Sequence, residues 1–338
     1  MAHEPKLSAY IIKLNPKGDD IENSNRNLVK NLTGNTSEEE EYEDSFLFME
    51  LFKTFIKRLD TQEMYSDSVS KKCFTAYQSD IESPDVDQNI TPHSTQFIIE
   101  GIVEGGNYGR KRNKTSTTNK NIKSNVDEKD AITDSFYFLL YTPLYSNKSI
   151  LLIQSYSDDT IDYIVKKFFQ DLFRIPNLFK KPSVEKYVPQ SIIDKFKAGA
   201  TVSELRYSTE VPSQTLLYSP ISTDQQYYRV TIKFEPVDTE LTYEECEKSV
   251  KGLGGKSIFE YLPLRLFKKK KGVLKATNGK TTPFELNEKY DIKPTILLSD
   301  FIMINNDESD FERIKEYCFT LLKELKGVIY TNNAVQER

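Results

Sequence analysis

The chain has 338 residues, a formal net charge of -5 and three cysteines, which argues against a strongly basic nucleic-acid-binding domain, a disulfide scaffold and a thiolate metal cluster. Its length suits two or three domains or one large domain with insertions; hydrophobic residues make up 38% and charged residues 29%, and the 20 Phe and 20 Tyr supply enough bulky apolar area for a substantial core. No apolar run approaches the length of a membrane-spanning helix, and Met1 to Tyr10 lacks the apolar stretch of a signal peptide, so a cytoplasmic protein is expected.

Leu7 to Leu14 is bulky and β-prone and predicts a first strand. Residues 15–35 are rich in Asn, Gly and Asp and read as loop. An acidic run, Glu38 to Glu41 with Glu43-Asp44, precedes Phe46, Leu47, Leu51, Phe52, Phe55 and Leu59. That pattern predicts a helix whose acids favour the positive end of its dipole. Thr95 to Val103 predicts a strand. SFYFLLY (Ser135 to Tyr141) and SILLIQ (Ser149 to Gln154) predict a hairpin joined through Pro143 and Asn147.

Ser157-Asp158-Asp159 is read as the start of a helix carrying Ile161, Ile164, Val165, Phe168, Leu172 and Phe173 on one side. Val188 to Lys197 predicts a short helix. Thr201 to Tyr207 and Tyr228 to Phe234 predict strands, and Leu241 to Val250 a helix. Val273 to Thr277 and Thr282 to Glu285 flank Asn278-Gly279, a strong hairpin signal. Thr295 to Met303 reads as a strand and Asp310 to Leu325 as an amphipathic helix.

This order is not a regular βαβ alternation. It predicts an α+β protein of mainly antiparallel sheets with several amphipathic helices. The expected organisation is an N-terminal α+β unit over 1–180, with a mobile basic insert near 105–130, and a C-terminal α+β unit over 181–338.

The candidate chemistry is sparse. Gly105 to Gly109 matches neither a Walker loop nor a dinucleotide fingerprint, and Gly252 to Ser257 lacks the first glycine and the preceding strand of a P-loop. The only histidines, His3 and His93, have no ligand partner at motif spacing. Glu204, Asp134, Asp158, Asp159 and Asp300 are conceivable carboxylates of a magnesium nuclease, but no arrangement of them stands out. No catalytic residue, metal site or cofactor is assigned.

The basic features carry more. Arg110, Lys111, Arg112 and Lys114 follow a predicted strand, with Lys120 and Lys123 beyond them. Almost nothing apolar lies between Tyr108 and Val126, so the segment reads as a long mobile loop or a hairpin tip. Lys268, Lys269, Lys270 and Lys271 form a second run beside a predicted hairpin, and Arg206 and Arg229 sit in the strands TVSELRY and YRVTIKF. Such clusters neutralise phosphates with little sequence reading, and Tyr108 could stack on a base. Lysines outnumber arginines 36 to 10, which favours phosphate contact over bidentate base reading.

The run SFYFLLYTPLYSNKSILLIQSYSDD, a helix, and then VPQSIIDKFKAGATVSELRY resembles bacterial phage-defence and phage-exclusion proteins of the Kiwa DNA-binding-subunit or Rex-sensor type. The resemblance spans roughly residues 95–235, and the basic segment 105–125 departs from it. It implies a nucleic-acid-sensing or partner-binding role and carries over no catalytic residue.

The expected function is a non-enzymatic subunit that binds DNA or RNA through phosphates, within a protein complex or homo-oligomer. The alternatives are a protein-interaction subunit without nucleic-acid affinity and a magnesium-dependent nuclease.

Overall fold

The structure, a computed structural model, describes residues 5–36, 41–59, 61–76, 89–119, 121–156, 160–197, 199–212, 227–237, 240–253, 257–259, 262–263, 267, 269–275, 281–286, 292–302 and 310–330. The chain opens with β1 (Lys6–Lys13), α1 (Asn25–Thr33), α2 (Asp44–Leu59), β2 (Tyr65–Asp67), β3 (Lys72–Ala76), β4 (Ile90–His93) and β5 (Ile98–Asn107). It continues with β6 (Arg112–Thr115), β7 (Lys123–Val126), β8 (Ile132–Tyr141), β9 (Lys148–Ser155), α3 (Asp162–Leu172) and β10 (Ser183–Tyr187). Then come α4 (Gln190–Lys197), β11 (Thr201–Pro212), β12 (Tyr227–Phe234), β13 (Leu241–Thr242), α5 (Tyr243–Leu253), β14 (Ser257–Phe259) and β15 (Leu262–Pro263). The last elements are β16 (Lys269–Lys275), β17 (Thr281–Leu286), β18 (Ile292–Pro294), β19 (Ile296–Leu297), a 3-10 turn (Leu298–Asp300) and α6 (Phe311–Ile329). The fold is α+β with mainly antiparallel sheets. No helix of the described residues is long and apolar enough to cross a membrane.

The chain divides into two compact units, residues 1–187 with 297–338, and residues 188–296. The first unit is built on a sheet of order β10-β1-β9-β8-β5-β3-β2, with β4 also on β5. Both faces of its central strands are buried. Phe136, Phe138 and Leu140 of β8 join a core with Leu47, Phe48, Leu51 and Phe55 of α2 and Phe168 and Phe169 of α3. The Phe55 ring lies 5.9 Å from Phe138 and 5.7 Å from Phe168. The alternate residues of β8 point the other way, toward α6. Tyr141 lies 5.7 Å from Tyr330 and carries the Lys326 amine 3.8 Å from its ring centre. Two buried faces explain why SFYFLLY and SILLIQ read as continuous apolar runs without a period of two.

Three expectations are corrected. Residues 25–33, read as loop, form α1. Ser24 caps it by accepting the Asn27 N–H at 3.1 Å, Gly34 ends it in the left-handed conformation at φ 79°, and Leu28 and Val29 are fully buried. Asn is a weak helix former, but here Asn25 is buried and its amide donates to the Pro143 and Lys148 carbonyls at 2.9 and 3.1 Å. Second, the strand expected over 295–303 is only β19. The chain turns at Leu298, and Asp300 is exposed in that turn rather than set inside a strand.

Third, the sequence reading leaves everything beyond 180 in a second unit, yet 297–338 belongs to the first. The apolar side of α6 (Ile314, Cys318, Leu321, Leu322, Leu325, Ile329) is buried there, because the sheet's second face offers it apolar area to cover.

The second unit holds a sheet of order β12-β11-β16-β17-β18, with β13 on β11. Val202, Leu205, Tyr207, Val211, Leu274 and Phe284 point to one face and form a core with Tyr243 and Cys246 of α5. The opposite face of β11, β12 and β16 carries polar and charged side chains. Asn278-Gly279 lies outside the described residues, but the strands on either side of it pair as expected, from Lys271↔Glu285 to Lys275↔Thr281.

Candidate nucleic-acid interface

The basic insert carries a two-stranded hairpin, one of the two forms expected for it. β5 and β8 pair without interruption from Ile98↔Tyr141 to Asn107↔Ile132, and the chain between them leaves the sheet. At its root, Tyr108 N–H donates to the Lys71 carbonyl and Gly109 N–H to the Glu128 carbonyl, each at 3.0 Å. The root is crowded. A Cβ at Gly106 would stand 1.8 Å from the Ile132 carbonyl oxygen, so only glycine lets the two backbones approach this closely.

Beyond the root, β6 and β7 pair as Arg112↔Val126, Asn113↔Asn125, Lys114↔Ser124 and Thr115↔Lys123. Side chains alternate along a strand. Arg112 and Lys114 therefore share one face of the ribbon, and Lys123 takes the other.

The tip is held by its own polar groups. Ser116 Oγ accepts from Thr118 and Asn119 N–H at 3.3 and 3.2 Å, and Asn119 Oδ1 accepts from Asn121 N–H at 3.1 Å. Ser116 N–H donates to the Ile122 carbonyl at 3.2 Å, closing the loop.

Arg110, Lys111, Arg112, Lys114 and Lys123 are all exposed. Among the described residues, none of the five makes an ion pair with a carboxylate. Residues 108–126 contain no acid, whereas Asp127, Glu128 and Asp130 sit at the root. Lys120 lies outside the described residues. Tyr108 is half-buried, and the Lys71 amine already lies 5.5 Å from its ring centre.

The second unit treats its cations differently. Register places Arg206 between Lys233 of β12 and Lys271 of β16. Ser208 stands between Thr231 and Lys269, and Glu210 opposite Arg229. Arg206, Arg229, Lys269 and Lys271 therefore share one face of the sheet. Strand alternation splits the lysine run, because Lys270 stands opposite buried Tyr207 on the other face. Lys268 lies outside the described residues.

Most of these cations are paired. Glu204 binds Arg206 at 2.6 Å and Lys233 at 3.0 Å, Glu210 binds Arg229 at 3.0 Å, Glu285 lies 3.6 Å from Lys271, and Glu240 binds Lys275 at 2.6 Å. The Lys233 amine and the neighbouring Arg206 hold the Glu204 carboxyl below its ordinary range. Lys269 makes no ion pair among the described residues and lines a cleft of about 160 Å³ with Ser208, Thr209, Glu210 and Arg229. The basic strands are thus a charge-matched lattice rather than a bare positive surface. Sequence reasoning named Glu204 only as a possible metal ligand and missed these pairs, of which Glu204–Arg206 lies within β11 and Glu204–Lys233, Glu210–Arg229 and Glu285–Lys271 join neighbouring strands. The period-two alternation of TVSELRYSTE and YYRVTIKF was the available signal.

Among the described residues, no three His, Cys, Asp or Glu side chains gather as metal ligands. Glu204 is committed to two cations, and Asp158 and Asp159 lie outside the described residues. Cys73, Cys246 and Cys318 are buried and in no disulfide, and burial pushes the Cys246 thiol up to about 12, far from a reactive thiolate. His93 is half-buried with Nε2 3.3 Å from Glu100.

No protein-family model, curated protein or solved structure matches the chain.

Proposed function

We propose that the protein is a nucleic-acid-binding subunit that holds phosphates with the hairpin carrying Arg110, Lys111, Arg112, Lys114 and Lys123. The observation that supports this reading most is the contrast between the two basic regions. Cations already paired with carboxylates have little to gain from phosphates. Unpaired cations on an extended ribbon exchange a loose counterion atmosphere for phosphate contacts and release the condensed ions of the nucleic acid. The net charge of -5 does not oppose this, because binding follows the local field of a face. The resemblance of residues 95–235 to phage-defence proteins, from which segment 105–125 departs, implies a nucleic-acid-sensing or partner-binding role and lends no support to the hairpin itself.

The test is binding of labelled DNA and RNA to the full chain at rising salt, with the combined variant Arg110→Ala, Lys111→Ala and Arg112→Ala beside a control variant Arg206→Ala and Lys271→Ala. Salt-sensitive binding lost in the first and kept in the second is expected. Equal loss in both would move the interface to the sheet. Binding by neither the wild-type chain nor its variants, together with stable co-purification of a protein, would favour the interaction-subunit reading.

A further inference from the structure

We propose that the ligand of the hairpin is double-stranded DNA and that Ile122 at its tip is a wedge that enters the minor groove and kinks the duplex. This rests on the reading above and specifies its substrate. Ile122 is the sole apolar residue between Tyr108 and Val126, and it is 63% exposed. A lone exposed isoleucine is ordinary on a protein surface. This one is displayed by a turn whose backbone is fixed at both ends, with its own N–H on the Asn119 carbonyl at 3.1 Å and its carbonyl on Ser116 N–H. Lys123 follows it directly. An exposed apolar side chain on a hydrogen-bonded turn next to a cation is the kind of wedge with which proteins part a base step from the minor groove, unstacking it and bending the helix.

Three further features select duplex DNA. The ribbon has no aromatic side chain between Tyr108 and Val126, so it offers no platform on which unpaired bases could stack. At its root, the Tyr108 ring already carries Lys71. Cations stand on both faces of the ribbon, Arg112 and Lys114 on one and Lys123 on the other, which suits an element lying between the two phosphate walls of a groove.

The experiment uses the full chain and a short DNA duplex labelled at both ends, following energy transfer between the ends and anisotropy in one titration. The wild-type chain is expected to raise energy transfer as it binds. Ile122→Ser sits on an exposed tip and is expected to leave the fold intact, which circular dichroism checks. It is expected to bind within about threefold of wild type while losing most of the rise, because phosphate contacts remain and the wedge does not. Bending by Ile122→Ser equal to wild type, wild-type binding without bending, or equal affinity for single-stranded DNA or duplex RNA would each overturn the wedge while leaving phosphate binding standing. Absence of salt-dependent binding to any nucleic acid would overturn both, and a self-association lost in Ile122→Ser would then reassign the tip to a protein contact.

Discussion

The amine of Lys315 on α6 lies 2.8 Å from the carboxylate of Glu100, which is 3% exposed in the middle of β5. His93 Nε2 stands 3.3 Å from the same oxygen. The contact fastens the last helix to the sheet, and Glu100 in turn holds the Lys315 amine above its ordinary range. Removing the cation alone strands a buried charge. Lys315→Met is therefore expected to destabilise the first unit by about 2–3 kcal/mol, at or below the lower end for buried pairs because the lysine is partly solvated. Adding Glu100→Gln should recover much of that loss. A double-mutant cycle in urea that comes out additive would show that the two groups do not depend on each other.

Asp67 of β2 pairs with Lys167 of α3 and accepts Ser70 N–H at 2.7 Å. The Lys167 hydrogen bond, then those from Ser70, hold its carboxyl well below the usual carboxylate range. A carboxyl lowered in the folded state stabilises fully above its unfolded pKa, about 3.9. That contribution is lost as pH falls below this value toward the folded one. Between about pH 5 and 2, denaturation midpoints should fall less steeply in Asp67→Asn than in the wild-type chain.

Ser24 accepts the Asn27 N–H at the start of α1, so Ser24→Ala should cost about 1 kcal/mol. Thermal unfolding measures it, and Ser24→Asp, which keeps an acceptor, should restore most of the loss.

Gly106→Ala pushes a methyl group into the Ile132 carbonyl at the root of the hairpin. A loss of about 1–3 kcal/mol is expected, typical of forced overpacking. Amide exchange should rise first at the last pairs of β5 and β8, from Gly105↔Asp134 to Asn107↔Ile132.

For duplex DNA, each hairpin cation removed should reduce the slope of log affinity against log salt by about 0.9. Lys271→Ala, whose amine already faces Glu285, should leave the slope unchanged.

The elements best legible in the sequence were those with long apolar signatures. The hairpin of β8 and β9 and helices α2, α3 and α6 form near where the spacing of Phe, Leu and Ile places them. α1 was hidden because its helix signal is a cap pair, Ser24 and Gly34, around an Asn-rich stretch in which the buried Asn25 amide donates to the Pro143 carbonyl in the turn after β8. The return of 297–338 to the first unit was equally hidden. Periodicity shows that α6 has an apolar face and says nothing of which sheet receives it. At the candidate interface, the residues were legible and their electrostatic state was not. Arg206 and Arg229 look like Arg110 and Arg112 in the sequence. Glu204, two residues before Arg206 on the same strand, was a visible partner, whereas only the strand register brings Glu210 opposite Arg229.

The return of the last helix also sets an order of events during synthesis. Residues 188–296 form a compact unit of their own and can gain their core while the preceding sheet still lacks α6. Until residues 311–329 leave the ribosome, the face bearing Tyr137, Leu139 and Tyr141 is open to water, and its exposed apolar strands invite wrong partners. The nascent chain therefore passes through a stage with one finished unit and one half-covered sheet, and truncation before α6 should turn that passing stage into an aggregating end state.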